Sequence, residues 1–448
     1  MQQLNKSMRF RDLVILGLLF MGPAAPVGLF GVLDAISDGA IALVYIVSTF
    51  VMAFTAFSYA RMSSELPHAG SVYAYCSAGI HPHAGFLVGW LLLLDYLFIP
   101  AVAYLFSGIS LNAIMPSVPV WVWTCIAVVL TTTLNLIGVK KSAKITLLIL
   151  IVEIVVLAAV LFAGIWILAT SGIERDWLVP FSGGERFSWG NLSTAVSIAA
   201  LSYLGFDAIA TFAEENGGER SLVSKAIIGC LILAGALFVI QTYIGALLSP
   251  YSPAYLRANP SLQGKAYYDI VNQELGLYLG WSLGLMKAIG AAFAAMVGQA
   301  AASRLLFSMG RDKRLPPILA KVGKHSGVPT IAILFAAAFN FCLATSAANN
   351  AKGLPTLVSF VDVGALSAFI MLHIAVIGYF RFKKNNIGLS SLLSDIIIPI
   401  IGISVLLPVL LYINHDAKIV GGIWLLIGGL ILFLNKNKPT LQWIDHIK

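Results

Sequence analysis

The sequence predicts an all-α membrane protein of twelve transmembrane helices, and three observations carry that prediction. The 448 residues are 59% hydrophobic and only 11% charged, with a mean hydropathy of +0.90; a water-soluble chain of this length would need far more charge to cover its surface. The apolar residues form continuous runs long enough to cross a bilayer, unlike the alternating pattern of barrel strands. The net charge of +8 comes from lysines and arginines in short loops between those runs, which reports topology and gives no support to a nucleic-acid partner.

Taken in order, the spans fall at residues 12–35, 40–61, 83–112, 119–138, 145–170, 191–213, 225–249, 277–307, 328–347, 355–380, 394–413 and 419–435. Residues 1–11 lead into the first span without a short apolar core and a small-residue cleavage site, so that span reads as retained and not as a signal peptide. An even number of spans puts both termini on one side. The great majority of the 28 Lys and Arg residues lie on that same side, which predicts cytoplasmic segments at 1–11 and 436–448 in a multi-pass protein of the cytoplasmic, or inner, membrane. Cys76, Cys125, Cys230 and Cys342 are scattered, and neither a disulfide framework, a metal site nor a cofactor motif is read from them.

Two spans are interrupted. Span 1 contains GLLFMGPAAPVGLFG (Gly17–Gly31) and span 6 contains LSYLGFDAIATFAEE (Leu201–Glu215). Backbone groups freed at such breaks cannot face lipid, so each break must line a cavity, a neighbouring helix or a ligand. Spans 1 and 6 run in opposite directions. Two five-span units of opposite orientation, 12–170 and 191–382, each opening with a broken helix, are what an inverted repeat leaves in a sequence; the two C-terminal helices in 394–435 are then extra.

Between spans 2 and 3, Pro67 and Gly70 punctuate a loop, Ser71 is placed to cap a short helix, and Pro82 precedes span 3. The run Pro67-His68-Ala69-Gly70-Ser71-Val72-Tyr73-Ala74-Tyr75, the GFD of Gly205–Asp207 followed by Glu214 and Glu215, and SRLLFSMGRDKRLPP (Ser303–Pro317) together resemble the amino acid/polyamine/organocation transporter superfamily. A narrower likeness, to the bacterial putrescine importer branch, rests on ISDG (Ile36–Gly39), HPHAGFLVGWLLLLDYLFIP (His81–Pro100) and YLGFDAIATFAEE (Tyr203–Glu215). The resemblance implies a LeuT-type fold, import of a small amine or amino acid, and a binding site between spans 1, 3, 6 and 8.

Several residues are candidates for the chemistry. Asp95 sits near mid-membrane in span 3, where an unpartnered carboxylate costs on the order of 3 kcal/mol; it reads as an anchor for a substrate ammonium, a proton carrier, or a partner of a broken helix's backbone. Asp207, at the break in span 6, either faces a substrate or caps the restarting helix. Glu153 in span 5 stands by eye where some proton-coupled relatives carry a lysine, and a buried glutamate could itself take up and release the proton. Lys287 in span 8 could snorkel, line the cavity or pair with Asp95 or Glu153, the pairing being the expected arrangement.

In the first break, Gly22, Pro23, Pro26 and Gly28 replace the Gly-Ser-Gly-like run of many related amino acid carriers, and each proline removes a donor from a substrate carboxylate. An acidic residue that the polyamine branch places close to Gly28 is missing too. Tyr96, Tyr203 and Phe206 are candidate aromatic walls beside Gly205 and Asp207. The centre of span 8, Ala288–Gly298, lacks hydroxyls, which favours proton over sodium coupling. The expected partners are therefore the bilayer, a small amine or amino acid, and protons, with oligomeric state open. A membrane enzyme is not indicated: there is no HExxH, and His373 stands alone in span 10. A channel would share the breaks but has no signature of its own.

Overall fold

The computed structural model describes residues 6, 8–172, 174–217, 219, 221–324, 326–350, 353–386, 388–411, 413 and 415–434. The expected cytoplasmic segment 436–448 lies outside them. Helices dominate. Among the described residues there is no strand, only a single bridge between Met8 and Asn216.

Among the described residues twelve helices are long and apolar enough to span a membrane: Phe10–Gly28, Ile41–Glu65, Pro82–Asn112, Val120–Ile137, Lys144–Ser171, Trp189–Glu215, Ser221–Leu247, Leu277–Arg311, Thr330–Ala348, Phe360–Lys383, Leu393–Leu411 and His415–Leu434. They are numbered spans 1–12. Each expected run has its helix, displaced at the ends by a few residues where caps and loop contacts add a turn.

Span 3 is the central post, packing against spans 4, 8, 9, 10 and 12. It carries Pro100 inside the helix, and Asn340 of span 9 donates to the nearby Leu97 carbonyl at 2.6 Å, a backbone acceptor that water cannot reach. Spans 1, 2 and 7 form a second group against one another. Span 12 is fastened to span 3 by Trp90 and Trp424, whose rings stack 4.7 Å apart while each indole N–H donates to the other's carbonyl, at 2.7 and 2.6 Å. Spans 5, 11 and 12 turn Phe162, Leu411, Leu426 and Phe433 outward, the surface a bilayer would cover.

Ser71 occupies the N-cap position of the short helix Val72–Gly79, but its side chain makes no capping bond. This corrects the expected role. The residue sits at φ 48°, a turn conformation that aims its hydroxyl away from the first-turn N–H groups.

Candidate functional site

Both sequence-predicted breaks are present. Span 1 stops at Met21, turns through Gly22 at φ 74°, makes a single 3₁₀ turn at Ala25–Gly28, and resumes as Phe30–Ile36. Proline 26 cannot donate three residues back, which leaves the Pro23 carbonyl free, and Gln241 Nε2 of span 7 donates to it at 3.0 Å. The next carbonyl, Ala24, accepts the Val27 N–H at 3.2 Å and also receives Lys287 Nζ of span 8 at 2.9 Å.

Span 6 tightens into a 3₁₀ turn at Ala200–Tyr203 and restarts at Asp207. Gly205 between them has φ 127°, and a Cβ there would lie 3.0 Å from the backbone N of Met21 and from the Phe20 ring. Only glycine lets the two breaks touch. Asp207 Oδ1 accepts from the Gly205 N–H at 3.0 Å and Oδ2 accepts from the Tyr96 hydroxyl at 2.6 Å, so this carboxylate ties the backbone of the break to span 3.

A cavity of about 720 Å³ runs from the breaks toward the loop between spans 7 and 8. Its walls include Gly22, Ala24 and Gly28 of span 1, Ile99, Val102 and Phe106 of span 3, Leu204 of span 6, and Gly284, Ala291 and Ala294 of span 8. The charged groups on it are Glu153, Lys287 and, toward the loop, Lys265. Glu153 Oε1 presses on Gly290 of span 8 so closely that no Cβ would fit, while Oε2 is buried without a hydrogen-bond partner.

The expected ion pair between Lys287 and a carboxylate is therefore not formed. Lys287 reaches the broken backbone instead, giving the Ala24 oxygen a second donor beside the Val27 N–H. Of the other expected binding residues, Pro23 gives its carbonyl to Gln241, and Asp95, Tyr96, Tyr203, Gly205, Phe206 and Asp207 are buried behind the cavity wall. Tyr203 bonds Thr49 Oγ1 at 2.7 Å and the Tyr45 oxygen at 3.1 Å. Phe206 packs edge-on against Tyr59, with ring centroids 6.0 Å apart. The aromatics that line the cavity are Phe20, Phe106, Tyr268 and Trp281.

Sequence reasoning missed Asp362. It lies in Phe360-Val-Asp-Val-Gly364 of span 10, close enough to Asp95 to interact electrostatically. The signal was the one used for Asp95, a carboxylate inside an apolar run.

At the end that holds the N-terminus the molecule is closed. Glu215 of span 6 pairs with Arg304 of span 8, both almost fully buried, and the Arg304 guanidinium lies 4.2 Å over the Phe212 ring. Arg311 holds Glu214 by two bonds of 2.8 and 2.7 Å, Ala69 N–H donates to the same carboxylate at 2.9 Å, and the Tyr73 hydroxyl donates to Asp312 at 2.6 Å. The three sequence motifs thus meet at one place. His68, in the loop there, is held below the ordinary imidazole value chiefly by burial, with Arg311 adding to the effect and Glu214 opposing it.

A closed end, two broken spans in contact and a half-length cavity define a multi-pass membrane protein built to carry a small solute. Comparison with known proteins agrees. The model of the amino acid permease family matches residues 13–433, and the chain belongs to that family. It is 27% identical to the low-affinity putrescine importer PlaP of Escherichia coli K12 over 95% of this chain and 92% of that protein. It is also 25% identical to the branched-chain amino acid permease BcaP of Lactococcus lactis, over 88% of this chain and 86% of the relative. The vacuolar cationic amino acid transporter 2 of Arabidopsis thaliana is 26% identical, over 76% of this chain and 54% of the plant protein. The family is one of transporters, and this chain is a transporter and not an enzyme.

Proposed function

We propose that this protein is a secondary active transporter that imports a small amine, a putrescine-like polyamine or a cationic amino acid, across the cytoplasmic membrane by alternating access, coupled to protons. The observation that carries the reading is the cavity, which reaches both helix breaks from one side while a buried and a half-buried ion pair close the other. With both termini in the cytoplasm, as the lysines and arginines argue, this is a state open to the outside. Two five-span units of opposite orientation would then exchange access at the breaks. Carbonyls at the first break and the Glu153 carboxylate suit an ammonium, and the likeness to a putrescine importer supports the substrate class.

A second reading is a permease or exchanger for a neutral, zwitterionic amino acid. Lys287 favours it, because a fixed ammonium in the cavity attracts a carboxylate and repels a diamine. The likeness to a branched-chain permease points the same way.

Uptake of labelled putrescine into proteoliposomes, with and without an inward proton gradient and with unlabelled diamines, lysine and leucine as competitors, tests both. Gradient-driven uptake competed by diamines is expected. Leucine uptake with no putrescine uptake would select the second reading, and uptake of neither would sink both.

A further inference from the structure

Lys287 places a cation in a cavity that, on the amine reading, must admit another. Its ammonium is already seated. Nζ donates to the Ala24 oxygen at 2.9 Å, and the same carbonyl accepts the Val27 N–H at 3.2 Å. A carbonyl oxygen has two lone pairs, so the lysine completes this acceptor, while Gln241 Nε2 occupies the Pro23 oxygen beside it at 3.0 Å. The protein's own ammonium therefore rests on a carbonyl of the break, where the amine reading puts the ammonium of the substrate.

A second seat for the same side chain lies one helical turn along span 8. Glu153 Oε1 stands where a Cβ of Gly290 would be, so any larger residue at 290 would push the carboxylate off span 8. Gly290 follows Lys287 by three residues, a spacing that sets Cβ positions about 5–6 Å apart on one helix surface. Glu153 is buried, and its Oε2 has no hydrogen-bond partner among the described residues. The flexible four-carbon stem of a lysine covers that distance by a change of rotamer. Glu153 and Lys287 both line the cavity, and the other ionisable side chains on it, Lys265 and Tyr268, belong to the loop between spans 7 and 8.

We infer that Lys287 is a tethered stand-in for the substrate amine: its ammonium holds the Ala24 carbonyl while the cavity is empty, and an entering primary amine takes that carbonyl as the lysine moves to Glu153. The exchange leaves no acceptor of the break bare inside the membrane. It also pairs the lysine with a carboxylate, which removes the repulsion a fixed cation would exert on an amine. The carbonyl thus receives the substrate's ammonium and Glu153 receives the lysine's. A substrate carboxylate suits the arrangement poorly, because at Lys287 it would stand within about one helical turn of Glu153, a like charge. The ligand class that can make the exchange is a primary alkylammonium, with N–H groups to give the carbonyl; a quaternary ammonium has none.

The inference rests on the amine reading and deepens it, and two measurements on the purified full chain in lipid separate their failures. The first is putrescine binding. Lys287→Met keeps the stem and removes the ammonium, and is expected to bind putrescine at least tenfold tighter than the parent. Glu153→Gln removes the seat of the displaced lysine and is expected to bind it at least tenfold more weakly, a loss that should vanish in the double variant. A Glu153→Gln loss that persists without the lysine would mean that Glu153 holds the substrate itself. Weaker putrescine binding by Lys287→Met, or leucine binding that Lys287→Met abolishes, would mean that the lysine serves the substrate directly. Each of these overturns the inference. If Lys287→Met does not fold, Lys287→Arg, whose fork of donors grips a carbonyl more firmly, should weaken putrescine binding about threefold or more, and parental affinity would reject the exchange. The second measurement uses no transported substrate. Propylammonium, the piece of side chain that Lys287→Ala removes, should raise the thermal midpoint of that variant in proportion to its concentration and leave the parent unchanged, whereas tetramethylammonium should raise neither. Putrescine binding without a propylammonium shift would leave the amine reading standing and sink the inference. A propylammonium shift with no putrescine binding by the parent or by Lys287→Met would retire the amine reading, and the lysine would then be a fixed bridge between spans 1 and 8 instead of a stand-in.

Discussion

The two ends of this molecule use the same residue types for opposite purposes. At the N-terminal end, Glu215 and Glu214 of span 6 reach across to Arg304 and Arg311 of span 8, so the ion pairs lie across the route from the breaks. At the other end, Asp34 and Asp38 extend from span 1 to Arg175 and Arg257 in the loops after spans 5 and 7, at 2.7 and 2.8 Å. These pairs run along the rim, and the cavity between spans 1, 3 and 8 stays open. A carboxylate and a guanidinium make a gate when they join helices on either side of a path. They make a brace when they tie a helix end to the loops of neighbouring spans.

The comparison is broken most directly at Glu215. Both members of its pair are nearly inaccessible, with side-chain exposures of 4% and 1% for Glu215 and Arg304. Truncating one partner of such a pair strands a buried charge and costs about 3–5 kcal/mol. Glu215→Gln should lower the thermal midpoint of the purified protein sharply and should increase labelling of Ser303→Cys, placed beside Arg304. Replacing both partners, as Glu215→Gln with Arg304→Met, should recover much of the loss. A single variant as stable and as closed as the parent would show that this end is shut by packing and not by charge.

At the opposite end the expected loss is smaller. Arg257 is 37% exposed, water screens the pair, and exposed pairs contribute about 1 kcal/mol or less. Asp38→Asn still keeps one oxygen for the Arg186 N–H, which donates to Oδ2 at 2.8 Å. Its thermal midpoint should therefore fall only slightly, with no new labelling at Ser303→Cys. An effect equal to that of Glu215→Gln would erase the distinction between gate and brace.

Much of this architecture was legible because the membrane imposes simple rules on sequence. Twelve apolar runs must be helices, and Gly22, Pro23 and Gly205 could only mark breaks. What could not be read was direction. Asp95 and Lys287 are both single charges in apolar helices, yet one turns into a buried layer and the other into the cavity, a difference of helix rotation set by packing partners far away in the chain. The Lys287 bond to Ala24 joins residues 263 positions apart, and no local pattern specifies it. The Asp207 bond to the Gly205 N–H is local, but it runs upstream into the break and not to the first turn of the restarting helix, a direction that the residue type alone did not specify.

The smallest expected effect sharpens the gate further, at His68. Its Nε2 stands 2.7 Å from the Arg311 guanidinium, so it serves that donor best as a neutral acceptor. Burial and Arg311 hold its pKa below the ordinary imidazole value, against the pull of Glu214 and Asp312. The unfolded chain then binds this proton more tightly than the folded one. Stability from the neutral ring is present above the unfolded value, near about 6.5, and is lost as pH falls through the lower folded value. Between about pH 7.5 and pH 5, the thermal midpoint should drop more in the parent than in His68→Gln, whose amide oxygen can accept from Arg311 at any pH. Equal slopes in the two proteins would show that His68 is not the titrating element of the closed end. A steeper slope in His68→Gln would mean that Glu214 outweighs burial and that the histidine steadies the gate when charged.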